Sequence, residues 1–441
     1  GPSTPVATPV GAHVRSCRAG CRLERWYCSA MNDQTAKTKD DRPATANEMR
    51  LMVGAPPSRD RQVTIENFLD APYNRWSLRH LSEIVPTRSV RPSDAAAFLD
   101  ERPIDLSGVE VGLPDGSTVA VGSWLESSYT DGFVVLHGGN VIYERYFNDQ
   151  TPSTPHLMFS VTKSFTGTMA LMLIEQGRID ETLTVGDYVP ELLDSAFGDA
   201  TIRHMLDMTN SIEYVEDYSD PDAHIAGFAN AFMPSGEGLY SNLRTLTGQH
   251  DRFSHGEAFH YVTPDPEVLG WVIRRVTGKL LAGSLHDMIW APMGAEHQCC
   301  YWLDPRGVEM AGGGLAVSLR DAARFGQMIL QDGHYNDRQV VSVDVARRIK
   351  SKRNAGIFTR FYADDLSGME AFDSYHDQWW GLAGVNAVTG IGIHGQFVYV
   401  NSDSGVVIAR HASEPEAEGA HQTEAVFVMH AIARVLSDRE G

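Results

Sequence analysis

Residues 164–176 constrain this chain most. Phe165, Met169, Ala170, Leu173 and Ile174 recur there at helical spacing, and Gly177 follows as a helix stop. So apolar a run has to be buried, so other elements must be wrapped around it. The apolar triplet Leu157-Met158-Phe159 leads in, and Ser160-Val161-Thr162-Lys163 stands between the two. Ser160 is therefore expected at the helix N-terminus, with Lys163 one turn further on the same face. Unpaired backbone N–H groups at a helix start favour negative charge. A serine nucleophile needs this arrangement: a base in reach, and donors for an oxyanion. Taken alone the tetrapeptide says little, because a serine at a helix start is more often only an N-cap. The chemical reading needs support from elsewhere in the chain.

The chain has 441 residues, 42% of them hydrophobic, enough for a sizeable core and for two subdomains. A net charge of −20 argues against nucleic acid or an anionic membrane as partner. No apolar run approaches the roughly 20 residues of a membrane span, and no secretory h-region opens the chain. Cys17, Cys21, Cys28, Cys299 and Cys300 match no paired zinc spacing, and the adjacent pair is poorly placed to bond to itself. They are read as reduced and non-catalytic, in a cytoplasmic protein. The histidines form no metal-binding pair, so neither metal nor cofactor is expected.

Residues 1–60 look like a disordered tail, tag or leader, with Met31 as a candidate native start. A short helix is expected from Asn74 to Val85. Gly138-Gly139-Asn140 joins two apolar runs, residues 132–137 and 141–147, into a hairpin. Helical patterns dominate from 180 to 300, with long loops across 210–263, and loops of that length are usually functional. Residues 318–330 read as a helix capped by Ser318. Sheet elements return at 391–399 and 406–411, and a helix over 420–435 follows. This order predicts an α+β fold: an antiparallel sheet flanked by helices and built from both chain ends (61–180 with 305–441), and an inserted helical domain at 181–304.

Two further segments carry chemistry. Tyr261-Val262-Thr263 lies in a loop leading into a helix. A tyrosine is a weak base near its ordinary pKa of about 10, but a protonated lysine beside it favours the phenolate, which then accepts the serine proton. A packed aromatic is the plainer alternative. Gly390-Ile391-Gly392-Ile393-His394-Gly395-Gln396 suits a strand edge approached closely by a ligand, with a backbone N–H as second oxyanion donor. An ordinary glycine-rich strand is the alternative there.

Ser160-x-x-Lys163, Tyr261-x-Thr263 and the His394-Gly395 strand, taken in that order, resemble the serine β-lactamase-like hydrolases with the class C β-lactamase fold. Gly313-Gly314-Leu315, Asn74-Arg75-Trp76, Tyr188-Val189-Pro190-Glu191-Leu192 and Gln378-Trp379-Trp380 narrow the resemblance to the nylon-oligomer hydrolases. It implies Ser160 as nucleophile, Lys163 as neighbouring base or relay, and Tyr261 as general base and then acid. It implies Tyr218 at the scissile amide nitrogen, and the N–H groups of Ser160 and Ile393 as oxyanion hole. Glu216 is expected to hold a substrate ammonium, Trp380 to form an aromatic wall, and His394 to line the substrate site. The expected activity is hydrolysis of small esters or linear amides through an acyl-serine. Acyl transfer to an amine and a non-catalytic ligand-binding descendant are the competing readings, and a homodimer is left open. Two departures matter. Thr263 stands where the family often has Ser or Asn, and no Lys-Thr-Gly occupies the last strand, which argues against efficient β-lactam turnover.

Overall fold

The computed structural model describes residues 42–366 and 368–438. The expectations for residues 1–41, including Cys17, Cys21 and Cys28, lie outside the described residues.

A seven-stranded antiparallel sheet forms the frame. Its strands are β1 (Thr130–His137), β2 (Asn140–Tyr146), β3 (Phe372–His376), β4 (Trp379–Leu382), β5 (Ala387–Gly392), β6 (Gln396–Asn401) and β7 (Val406–Ala412). They lie in the order β3-β4-β5-β6-β7-β1-β2. The late strand β7 pairs with β1, Val407 opposite Leu136 and Ala409 opposite Val134, so distant parts of the chain close one sheet.

Side chains alternate across a strand, and both faces are covered. Val134, Leu136, Val398, Val400, Val407 and Ala409 face a core shared with Phe165 and Phe325. Those two residues belong to helices α1 (Val161–Glu175) and α3 (Leu319–Leu330), and their rings stack at 3.8 Å. Phe133, Val135, Phe397, Tyr399, Val406 and Ile408 face the second core, with Val428, Met429 and Ile432 of α4 (Ala420–Ser437). Each such side chain, fully buried, contributes about 1.5–3 kcal/mol. Gly326 lets α3 lie close on the sheet: a Cβ there would come 2.7 Å from Val407 Cγ1. Ser318 caps α3 as expected, accepting from the Asp321 N–H.

Between β2 and β3 the chain is largely helical, including α2 (Pro264–Thr277), which ends at Gly278 in the left-handed region. We propose 181–304 as the helical insertion, with 61–180 and 305–441 as the sheet domain. A smaller sheet ties them: Cys299–Trp302 pairs with Thr87–Val90 and with Leu315–Val317, and the last also pairs with His156–Leu157. That sheet sets the start of α1, because the Met158 N–H donates to the Leu315 carbonyl at 2.9 Å. Cys299 and Cys300 are free and buried.

Several local expectations are corrected. The stretch from residue 42 is anchored on the core rather than wholly loose: Ala46 and Leu51 are buried, and the Ala46 N–H donates to Asn148 at 2.8 Å. The helix expected from Asn74 to Val85 divides into Asn74–Ser77 and a 3-10 turn, Leu81–Glu83. The stretch 210–263 is not all loop, since it holds the helices His224–Phe232 and Leu239–Thr245. The element read as one strand over 391–399 is two, β5 and β6, joined by a turn at Ile393-His394-Gly395 with His394 at φ +60° and Gly395 at φ +90°. Among the described residues no helix is long and apolar enough to cross a membrane.

Candidate active site

Ser160 directly precedes α1, in helical backbone geometry, and its side chain makes no capping hydrogen bond. The N-cap alternative therefore fails. Its Oγ instead accepts from Lys163 Nζ at 2.7 Å. Lys163 donates again to the Gly312 carbonyl at 2.9 Å and is only 1% exposed. Burial pulls its ammonium down to about 8, against the attraction of Glu216, Glu267 and Asp265. Phe159, just before the serine, sits at φ +44°. A non-glycine residue there stores about 1–3 kcal/mol of strain, a feature that clusters at functional sites.

Tyr261 lies beside Ser160, in the loop before α2, close enough for the serine hydroxyl to act on its phenol. Its N–H donates to Tyr362 Oη at 3.0 Å, its ring stacks on Trp380 at 5.5 Å, and Lys163 Nζ lies 5.3 Å from the ring centre. Burial, then the charge of Glu216, push the phenol well above its ordinary value, and the neighbouring Ser160 hydroxyl opposes them. That environment favours the neutral phenol, not the phenolate expected beside a lysine.

The glycines of β5 permit a close approach by α1 and by the residues just before it. A Cβ at Gly392 would meet the Met158 carbonyl at 2.2 Å, and one at Gly390 would meet Ser164 Oγ at 2.9 Å. This contact sets the end of β5, and the Ile393 turn after it, against the start of α1.

Three expected substrate contacts take different places. The Glu216 carboxylate is occupied: Oε2 accepts from the Thr263 N–H at 2.8 Å, and Oε1 from Thr263 Oγ1 at 2.5 Å and Tyr218 Oη at 2.7 Å. It ties Tyr218 to the Tyr261-x-Thr263 turn instead of waiting for an ammonium. His394 is buried; its Nδ1 donates to the Glu414 carbonyl at 2.7 Å and its ring packs on Phe159, so it shapes the turn from behind. Burial lowers its imidazole to about 4, which keeps it neutral. Trp380 stacks on the Tyr261 ring, with centroids 5.5 Å apart.

Two residues escaped the sequence reading. Glu267 of α2, 1% exposed, accepts the Ala311 and Gly312 N–H groups at 2.7 and 2.8 Å. Asp265, fully buried, accepts from Asn210 Nδ2, and burial pushes its carboxyl well above the usual range. The signal for the first lay in Gly312: a Cβ there would come 2.8 Å from Pro266 and 3.0 Å from Glu267.

A helix-borne Ser-x-x-Lys pair beside an antiparallel sheet, with a tyrosine delivered from a helical layer, defines a class of serine hydrolases. The chain belongs to the beta-lactamase family, whose model matches residues 128–431. It is 33% identical over 367 residues to the 6-aminohexanoate-dimer hydrolase of Paenarthrobacter ureafaciens, covering 81% of this chain and 90% of that protein. A solved structure from Bacillus anthracis, whose name proposes a 6-aminohexanoate-dimer hydrolase, superposes with a TM-score of 0.76 at 30% identity, covering 87% of this chain and 99% of that one. EstCE1, described as a hydrolase with promiscuous acyltransferase activity, shares the fold at TM-score 0.56 and 16% identity, over 71% of this chain and 96% of its own. Fold and family are those the sequence resemblance implied.

Proposed function

We propose that this protein hydrolyses small linear amides, of the kind the aminohexanoate-dimer hydrolase is named for, and small esters, through an acyl-serine on Ser160. The observation that carries this reading is the buried Lys163 amine 2.7 Å from the Ser160 hydroxyl. A desolvated amine near 8 is a competent base at neutral to mildly alkaline pH.

In this scheme neutral Lys163 takes the Ser160 proton as Oγ bonds to the substrate carbonyl carbon. The carbonyl π electrons move to oxygen, and the N–H groups of Ser160 and Ile393 receive that oxyanion. The carbon–nitrogen bond then breaks, and Tyr261, kept protonated by its surroundings, gives its proton to the departing amine. The Lys163 ammonium reprotonates Tyr261. Water repeats the sequence on the acyl-serine and releases the acid. Tyr218, held by Glu216, assists at the leaving nitrogen of amides. Base and acid are thus divided between Lys163 and Tyr261, which narrows the expectation of Tyr261 as general base and then acid with Lys163 as neighbouring base or relay.

The test pairs Ser160→Ala with a fluorophosphonate probe. Wild-type protein should be labelled at Ser160 and should cleave aminohexanoate dimer and p-nitrophenyl esters, and the variant should do none of these. Hydrolysis retained by Ser160→Ala would remove the nucleophile. Labelling without turnover would favour a ligand-binding descendant. Product analysis with an added amine separates hydrolysis from acyl transfer.

A further inference from the structure

We propose that Glu267 is a positioning residue for Lys163, acting through the Ala311–Gly312 peptide and through its own charge. The proposal rests on the reading of Lys163 as the base.

The geometry is a short relay. Glu267 stands on α2, and its two carboxylate oxygens grip two consecutive backbone amides, Oε2 that of Ala311 at 2.7 Å and Oε1 that of Gly312 at 2.8 Å. The carbonyl of the same Gly312 accepts from Lys163 Nζ at 2.9 Å. From the other side, Thr166 of α1 donates to the Ala311 carbonyl at 2.7 Å. The peptide is therefore stapled between the helix that carries the nucleophile and the helix that follows Tyr261. Moving it would release the lysine from one of its two acceptors, the other being Ser160 Oγ. Only a glycine fits at 312, because a Cβ would crowd Pro266 and the Glu267 carboxylate itself.

A packing role alone explains this poorly. Taking a carboxylate out of water costs several kcal/mol unless a partner compensates, and a neutral side chain would fill the same space more cheaply. The Lys163 ammonium acts on Glu267 and favours its ionised form. The groups facing Lys163 are Ser160, the Tyr261 ring, Glu216, Asp265 and Glu267. Burial pushes both Asp265 and Glu267 toward their neutral forms, Glu267 up to about 8 against the pull of the Gly312 and Ala311 N–H groups and of Lys163, while Glu216 is engaged by Thr263 and Tyr218. Glu267 also feels Asp304, a like charge that works against its ionisation. The grip on the two amides keeps the amine in place, and as the Glu267 charge forms near pH 8 it raises the proton affinity of Lys163; without that charge the ammonium is less favoured.

The experiment is the pH profile of kcat/KM on a p-nitrophenyl ester for wild type, Glu267→Gln and Glu267→Asp, each normalised to sites titrated by the fluorophosphonate. In Glu267→Gln the rate should fall about tenfold or more, and the acid limb should move to lower pH by about one unit. Glu267→Asp keeps the charge, so its limb should lie nearer to wild type even where the rate falls. Equal rate losses with the limb unmoved in both variants would mean a merely structural role and overturn the proposal. Should Glu267→Gln give no soluble protein, Gly312→Ala carries the test, since it displaces the same carboxylate; an unmoved limb there overturns the proposal equally. A wild-type profile with no limb near pH 8 would instead strike at the assignment of Lys163, a different result.

Discussion

Gly392 and Met158 touch backbone to backbone: a Cβ on the glycine would lie 2.2 Å from the Met158 carbonyl oxygen. The end of β5 can approach the nucleophile only because this position has no side chain. Gly392→Ala should therefore push the Ile393 amide away from Ser160. Overpacking of this kind costs about 1–3 kcal/mol of stability, and loss of one oxyanion donor costs about 100-fold or more in kcat. Steady-state kinetics beside a thermal melt checks this. Full activity in a folded variant would show that the Ile393 turn supplies no donor.

Lys163 sets a pH dependence with a definite sign. Burial holds its ammonium near 8, below the ordinary 10.5. If the neutral amine is the base, kcat/KM should rise with pH up to about 8 and then level off. If a charged Lys163 instead sustains a Tyr261 phenolate, the rate should fall as pH passes 8. A profile on a neutral ester between pH 6 and 10 decides which. Stability obeys the same shift: the unfolded chain binds more protons between about 8 and 10.5, so this group's contribution grows across that window.

Tyr218 donates to Glu216 at 2.7 Å and stands half-buried at the site. An amide needs a proton on its poor leaving group, and an activated ester does not. Tyr218→Phe should lower amide turnover about 10–100-fold while changing p-nitrophenyl ester turnover by less than about threefold. Equal losses on both substrates would remove this tyrosine from leaving-group chemistry.

Features set by local chemistry were legible in the sequence. The periodicity of residues 164–176, the Gly138-Gly139-Asn140 turn and the Ser318 cap each determine their element nearby. Ser160, Lys163 and Tyr261 were singled out through the resemblance their motifs carry, since spacing alone left each a plainer alternative. What was hidden depends on partners far along the chain. Glu267 looks like a solvated helix charge until its bond to Gly312, 45 residues away, is seen. Glu216 looks like a free anion until Thr263 and Tyr218 occupy it. His224–Phe232 hid because Gly227 and Asn230, on its exposed side, are poor helix formers in a short segment, although Ile225, Phe228 and Phe232 form one buried face.

The occupied carboxylate of Glu216 gives a prediction opposed to that of an ammonium site. Glu216→Gln should weaken the strut, since an amide nitrogen replaces one acceptor oxygen and meets donors. Cationic and neutral amides should then lose kcat in the same proportion, with little change in relative KM. A selective rise in KM for the cationic substrate would return Glu216 to substrate binding.

Asp131 governs stability rather than chemistry. It is fully buried on β1 and accepts from Arg75 Nη1 at 2.9 Å, Asn148 Nδ2 at 2.7 Å and Ser413 Oγ at 2.6 Å, with His156 Nε2 at 3.1 Å. These partners join the sheet to the segments around residues 75, 148, 156 and 413. Burial opposes its ionisation, but Arg75 and then His156 outweigh burial and hold the carboxyl below its ordinary 3.8. A depressed aspartate stabilises fully above 3.8 and loses that contribution as pH falls below it. Asp131→Asn removes the charge and turns one acceptor into a donor facing donors. It should cost about 3–5 kcal/mol at pH 7 in urea unfolding, the range for a broken buried pair. The gap between wild type and variant should narrow in strong acid, where the wild-type carboxyl is itself protonated. A gap unchanged between pH 7 and the acid limit would mean that packing around Asp131, and not its charge, holds these segments together.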